Sequence, residues 1–168
     1  PVIMSTGMAT LSEIDGAVCT LRASGTTDLL LLKCTSAYPA PASEMNLRTI
    51  PHMAQTFKVP VGLSDHTMGI GSSVAAVALG ANVIEKHFTL DRSDGAVDST
   101  FSLEPSEFNQ LVIETERAWQ SLGKVNYGAT EAEATQVLKR RSIYIVKDLK
   151  AGDVLTKDNL RCIRPGHG

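Results

Sequence analysis

Apolar residues in this chain fall into short continuous runs, separated by polar turns and by longer stretches of helical spacing. Val2-Ile3-Met4 is the first run, and it stops at Ser5-Thr6-Gly7. Thr10-Leu11-Ser12-Glu13 then has capping-box spacing and predicts a helix toward Ala23, ended by Ser24-Gly25. Leu29 to Leu32 is unbroken and ends in Lys33-Cys34-Thr35-Ser36, the pattern of a parallel strand buried on both faces. After Pro39 and Pro41, the spacing of Leu47, Ile50, Met53, Ala54 and Phe57 predicts a helix over 46–57, with Pro51 its one discordant residue.

Pro60 to Leu63 reads as a third strand running into Ser64-Asp65-His66-Thr67, followed by a compact helix of small residues over 72–79 that Gly80 stops. Val83-Ile84 begins a fourth strand that reaches Glu85-Lys86-His87-Phe88. A polar loop with Gly95 leads to Pro105, suited to a helix start, and to a helix over 107–122. Phe108, Leu111, Val112, Thr115, Ala118, Trp119 and Leu122 line one face of it. Strand starts recur roughly every 27 residues, as in a parallel α/β fold whose helices cross back over the sheet. A (β/α)8 barrel needs eight such units in about 250 residues. The four read here fit half of one, or part of a doubly wound sheet.

Beyond Gly123 the pattern changes. Residues 1–123 form the α/β part, 124–138 read as a linker, and 139–168 as a small β-rich module. In that module Ser142 to Val146 is one strand, Lys150-Ala151-Gly152-Asp153 and Asp158-Asn159 are turns, and Leu160 to Arg164 is a last strand before Pro165-Gly166.

Composition narrows the class. The 168 residues are 43% hydrophobic and 20% charged, ordinary for a globular protein, and a net charge of −2 supplies no basic field for nucleic acid. No apolar run approaches the roughly 18 residues of a membrane span, and no secretory leader pattern opens the chain. Cys19, Cys34 and Cys162 are odd in number and widely spaced, which argues for reduced thiols and a cytoplasmic setting. A start at Pro1 and a stop at Gly168 suggest a piece of something longer.

In parallel α/β folds, function gathers at the carboxyl ends of the strands. Ser5-Thr6, Lys33 to Ser36, Ser64-Asp65-His66 and Glu85-Lys86-His87 all follow apolar runs, so four strands deliver polar side chains to one end. His66 and His87 end consecutive strands at roughly 5 Å spacing, which suits two imidazoles on one octahedral ion such as Mn²⁺. The simpler reading has each His hydrogen-bonded to backbone. His52 and His167 lack such a setting. Lys33 offers a rival chemistry, a Schiff base with a keto acid, or equally a lysine paired with a carboxylate between strand and helix layers, whereas alternation turns Lys86 away if His87 points inward. Asp98, in the loop after the fourth strand, is placed to bind a sugar hydroxyl or to cap a turn.

Four strings, Ile3-Met4-Ser5-Thr6-Gly7-Met8, Cys34-Thr35-Ser36-Ala37-Tyr38-Pro39, Gly62-Leu63-Ser64-Asp65-His66-Thr67 and Ile84-Glu85-Lys86-His87-Phe88-Thr89, stand in an order that resembles the sialic acid synthase family. Arg141 to Tyr144, Lys150 to Asp153 and Ile163-Arg164-Pro165-Gly166 resemble the start of the antifreeze-like (SAF) domain that follows the barrel in that family. The stretches Lys33 to Pro41, Asp91 to Gly95 and Phe101 to Pro105 look most like the pseudaminic acid synthase branch.

The resemblance implies the carboxyl half of a (β/α)8 barrel joined to the start of a SAF domain. It also implies condensation of phosphoenolpyruvate with an open-chain 2,4-diacetamido-2,4,6-trideoxy hexose, releasing phosphate; N-acetylneuraminate or legionaminate synthesis on an N-acetylmannosamine-type sugar is the alternative. His66 and His87 match the ligands of a divalent metal, Mn²⁺ first, with Mg²⁺ or Co²⁺ also suitable. Ser5 and Ser64 match positions that contact phosphoenolpyruvate, and Tyr38 and Asp98 positions that contact the acceptor. Ser36 stands where neuraminate synthases carry Asn. Arg164 matches an arginine that one subunit inserts into its partner's barrel, implying a domain-swapped homodimer. The family's general-base glutamate and phosphoenolpyruvate-binding lysines lie on strands before Pro1, so no turnover is expected of these 168 residues alone, and their apolar strand edges are expected to be covered in a longer protein. Two further readings are a metal-independent aldolase using Lys33 and a non-catalytic carbohydrate-binding module.

Overall fold

The computed structural model describes residues 1–164, and the chain divides into two units, Pro1–Gly123 and Lys124–Gly168. The first contains β1 (Val2–Ser5), α1 (Leu11–Ala23), β2 (Leu29–Cys34), α2 (Thr49–Phe57), β3 (Val61–Asp65), α3 (Gly71–Ala78), β4 (Ile84–Lys86) and α4 (Pro105–Leu122). Its four strands are parallel and ordered β1-β2-β3-β4, a curled half-barrel of four βα units. Sequential order follows from each helix crossing over to the neighbouring strand.

Alternation along the strands divides the sheet into two faces. Leu29 and Leu31 of β2 with Val61 and Leu63 of β3 join Ile14 and Val18 of α1, Ile50, Met53 and Phe57 of α2 and Ala76 of α3 in one core, with Val2, Met4 and Ile84 packed against it. Burying each such large side chain is worth about 1.5–3 kcal/mol relative to leaving it in water. The opposite face carries the residues between: Ser5 lies opposite Leu32, Cys34 opposite Ser64, and Ser64 opposite Glu85. That inner face turns polar at the carboxyl ends of the strands.

Local chemistry sets the helix ends. The box at α1 forms as its spacing predicts: Glu13 N donates to Thr10 Oγ1 at 3.3 Å and Thr10 N donates to Glu13 Oε2 at 2.7 Å. Helix α2 starts at Thr49, three residues later than the apolar spacing suggests. Asn46 sits at φ +47° and cannot continue a right-handed helix, and Pro51 falls in the first turn, where an N–H has no intrahelical acceptor. Helix α4 opens with Pro105 at its first position. The stripe read along α4 is only partly covered: Leu111 is buried, whereas Val112, Trp119 and Leu122 are exposed, Trp119 by 67%. Helix α4 packs on α3, and among the described residues nothing covers its remaining apolar side.

The loop from β4 to α4 folds back beside β4. Leu103 N donates to His87 O at 2.9 Å and Thr89 N to Leu103 O at 3.0 Å. Arg92 ties the loop down: its N donates to Glu104 Oε1 at 3.0 Å, its Nε to Ser102 O at 3.0 Å, and its guanidinium pairs with Glu107. Glu107 also accepts from Glu104 N at 2.9 Å, closing the α4 capping box.

The second unit has a short turn at Glu131–Glu133, α5 (Ala134–Val137), and the antiparallel pair β5 (Ser142–Ile145) and β6 (Leu160–Ile163), with Ser142 opposite Ile163. The expected turns form: Asp153 N donates to Lys150 O at 3.0 Å and Thr156 N to Asn159 Oδ1 at 2.8 Å. Ile143 and Ile145 are exposed, as so short a stretch encloses almost no core. Pro165-Gly166 and His167 lie outside the described residues.

A side chain at Gly62 would place Cβ 2.4 Å from Val83 O and 2.7 Å from Leu32 Cδ2, where backbone cannot yield cheaply. Gly62→Ala is therefore expected to lower stability by about 2–3 kcal/mol, read as a lower urea midpoint at unchanged slope. Glu107 is held below its ordinary pKa of 4.5, first by the Glu104 N–H, against an opposing effect of burial, with Arg92 adding to the lowering. A depressed carboxyl contributes stability above its unfolded value and loses it as pH falls through the folded one. The gap in urea midpoint between wild type and Glu107→Gln is thus expected at pH 7 and should close in acid below pH 4.5.

Candidate active site

His66 follows β3 and His87 follows β4, so both occupy the inner-face parity of adjacent parallel strands. Their ring centroids lie 5.1 Å apart at an interplanar angle of 79°. His66 is buried and its Nδ1 is 3.0 Å from Thr35 O. A carbonyl can only accept, so Nδ1 carries the proton, and in the neutral ring Nε2 keeps a lone pair with no protein partner among the described residues. That is the orientation of a metal-ligating histidine fixed from behind. His87 is half-buried, with Nδ1 3.8 Å from Asp98 Oδ2, an electrostatic contact longer than a hydrogen bond.

Aromatic rings wall the pair. Tyr38 stacks on His66 with centroids 4.3 Å apart and meets His87 at 6.0 Å, and Phe101 lies 5.0 Å from His87. The folded-back loop delivers Phe101, which is buried, and Asp98, which stands at φ +66°. Asp is one of the few residues that tolerate this left-handed conformation. Ser102 steadies it by donating from N and Oγ to Asp98 O at 3.2 and 2.8 Å.

The serines come to the same strand ends. Ser5 is exposed at the inner face of β1. Ser64 donates to Glu85 Oε1 at 2.6 Å. Ser36 Oγ lies 3.7 Å from Cys34 Sγ, and Cys34 Sγ lies 3.9 Å from His66 Nδ1, over Gly7, which has no room for a side chain beneath Ser36. Arg164 belongs to the second unit, where its Nε donates to Lys139 O at 2.8 Å.

Two lysines resolve differently. Lys33 shares the parity of Leu29 and Leu31 and faces the helix layer, not the face with the histidines. Its Nζ donates to Cys34 O at 2.7 Å and Thr35 Oγ1 at 3.0 Å beside a cavity that it lines with Arg48 and His52 of the α2 start. Burial holds its pKa below the ordinary lysine value, against an opposing pull from Cys34. Of the two readings of Lys33, the placement between strand and helix layers is the one observed, with carbonyl and hydroxyl partners in place of a carboxylate. Lys86 does turn away from His87, and its Nζ lies 3.1 Å from Asp65 Oδ2 with both side chains shielded from water.

Sequence reasoning did not single out Glu85, Phe101 or the Asp65–Lys86 pair. Strand parity alone could have found Glu85, which shares the face of Ser64 and His87. Phe101 required the loop to fold back. Two imidazoles fit part of a divalent-metal shell. Among the described residues no group of three His, Cys, Asp or Glu side chains is close enough to complete one, so further ligands would be water or substrate oxygens. No helix among the described residues is long and apolar enough to cross a membrane.

Comparison with known proteins bears on this geometry. The chain is 42% identical over 168 residues to the pseudaminic acid synthase of Campylobacter jejuni strain 81-176, covering 100% of this chain and 49% of the relative. It is also 42% identical over 170 residues to an N,N'-diacetyllegionaminic acid synthase of Campylobacter jejuni, covering 99% of this chain and 51% of the relative. The crystal structure of the N-acetylneuraminic acid synthetase of Leptospira borgpetersenii, in complex with citrate, superposes with a TM-score of 0.73 at 38% identity, covering 81% of this chain and 47% of that one. The chain thus spans about half the length of the curated relatives it matches. Residues 140–168 match the SAF domain. Residues 1–127 match the NeuB family over the whole half-barrel, and the chain belongs to that family.

Proposed function

We propose that the strand ends of this half-barrel serve the condensation of phosphoenolpyruvate with an open-chain amino sugar to a nonulosonic acid, with pseudaminic acid as the product. The names of relatives at 42% identity support nonulosonic acid synthesis. Choice among sugars rests on the stretches Lys33 to Pro41 and Asp91 to Gly95, since the pseudaminic and legionaminic relatives are equally similar. The observation that carries the reading is the pair of imidazoles 5.1 Å apart, one with its tautomer set by Thr35 O.

In this reading His66 and His87 hold a divalent cation, Mn²⁺ first. Such an ion, when bound, polarises the acceptor aldehyde. The other roles belong to protein side chains. Ser5 and Ser64 contact phosphoenolpyruvate, and Glu85 orients the Ser64 hydroxyl by accepting its hydrogen bond at 2.6 Å. Buried Phe101 shields one side of His87, strengthening electrostatic interactions there, and Tyr38 packs on His66 from the open side. Tyr38 and Asp98 contact the acceptor, Ser36 borders the phosphoenolpyruvate side, and Arg164 reaches the sugar from a second copy in a domain-swapped homodimer. A cytoplasmic location completes the proposal. The rival aldolase loses its support because Lys33 faces the helices.

EDTA treatment of the full-length protein is expected to abolish phosphate release, and Mn²⁺ to restore it. His66→Ala and His87→Ala should each lower kcat on the order of 10³-fold, the scale of a lost electrostatic stabiliser. Undiminished turnover in either variant would sink the reading. Lys33→Ala is expected to keep activity, and borohydride with pyruvate to trap no adduct. In a comparison of acceptors, kcat/KM should be highest for the 2,4-diacetamido-2,4,6-trideoxy-L-altrose, and a preference for N-acetylmannosamine would reassign the product.

A further inference from the structure

Each candidate histidine directly follows one member of a buried ion pair. Asp65 precedes His66, Lys86 precedes His87, and Asp65 and Lys86 lie opposite each other in the β3–β4 register. Their side chains are 0% and 1% exposed, with Lys86 Nζ 3.1 Å from Asp65 Oδ2. The carboxylate is fully engaged: Oδ1 accepts from Thr67 N and Thr67 Oγ1, both at 2.8 Å, and Oδ2 accepts from Ser73 Oγ on α3 at 2.6 Å. Lys86 also donates to Thr67 O. Strand β3, the turn after it, helix α3 and strand β4 are thereby joined at one point behind the site.

A buried ion pair is a poor source of net stability, because desolvation offsets most of its attraction, and an apolar pair of similar size would serve the core as well. What an apolar pair lacks is direction. A charged, fully hydrogen-bonded pair fixes the strand ends along their length, and a one-residue slip of β4 would bring Lys86 to the inner face in place of His87.

Resting on the functional reading above, we infer that Asp65 and Lys86 are positioning residues that set the separation and facing of His66 and His87 for a shared divalent cation. Neither touches substrate; both act through the backbone of the residue that follows. Ser73 and Thr67 are the supports that hold Asp65 in place.

The test uses the full-length protein and Mn²⁺ alone, with affinity measured by electron paramagnetic resonance and thermal midpoints recorded beside it. Lys86→Met is expected to weaken Mn²⁺ binding by about 10–100-fold per folded molecule, and Lys86→Arg to recover most of it. Ser73→Ala, which removes one hydrogen bond and leaves the ion pair, should weaken binding by about threefold. A purely structural pair would lower the midpoints and leave Mn²⁺ affinity unchanged. If His66→Ala and His87→Ala abolish binding while Ser73→Ala and folded Lys86→Met bind like wild type, the positioning role is overturned and the metal reading stands. Wild-type affinity in the two histidine variants overturns the metal reading and this inference with it. Should Lys86→Met fail to fold, Ser73→Ala decides alone.

Discussion

Asp65 and Lys86 meet where water is excluded, and much of the half-barrel's carboxyl end depends on that meeting. In water such a pair would be worth almost nothing; inside the sheet–helix layer each charge must be answered or the segment cannot stay buried. Thr67 and Ser73 answer the carboxylate, and the carbonyl of Thr67 answers the ammonium. The consequence appears on the other side of the sheet, where the next residue of each strand is a histidine. Histidines on one face of the sheet thus stand back to back with a buried charge pair on the other.

A second constraint comes from the loop after β4. A three-residue strand cannot itself carry walls for a site, so the loop returns along it, pinned by Arg92 to Glu104, Ser102 and Glu107. That return brings Phe101 and Asp98 to His87. The left-handed backbone at Asp98 costs roughly 1–3 kcal/mol for an ordinary residue, and the hydrogen bonds from Ser102 offset part of it.

The half-barrel was legible in the sequence because each parallel strand opens on an apolar run and two of the helices have a local start signal, at Thr10-Glu13 and Pro105. The histidine pair was legible for the same reason: position at a strand end and parity determine neighbours in a sequential sheet. Other features were not. The start of α2 depends on a left-handed Asn46, which apolar spacing does not encode. The facing of Lys33 stayed open because it ends an unbroken apolar run, where both faces look alike and parity can be set only by what packs behind Leu29 and Leu31. Phe101 depends on a long loop returning. The α4 stripe was correctly apolar, but a stripe does not say how much of it will be covered; here Leu111 is buried and Trp119 is not.

The site's supports lie on two kinds of backbone. The histidines and Glu85 ride on strands locked from behind, while Tyr38, Asp98 and Phe101 ride on connecting segments in front. The segment with Tyr38 is not independent of the strands, since Thr35 O fixes the His66 ring and Ala40 N donates to His66 O at 2.9 Å. The division is one of bracing: the β3–β4 strand ends are held by a buried charge pair, while Asp98 and Phe101 are carried by a loop held through Arg92.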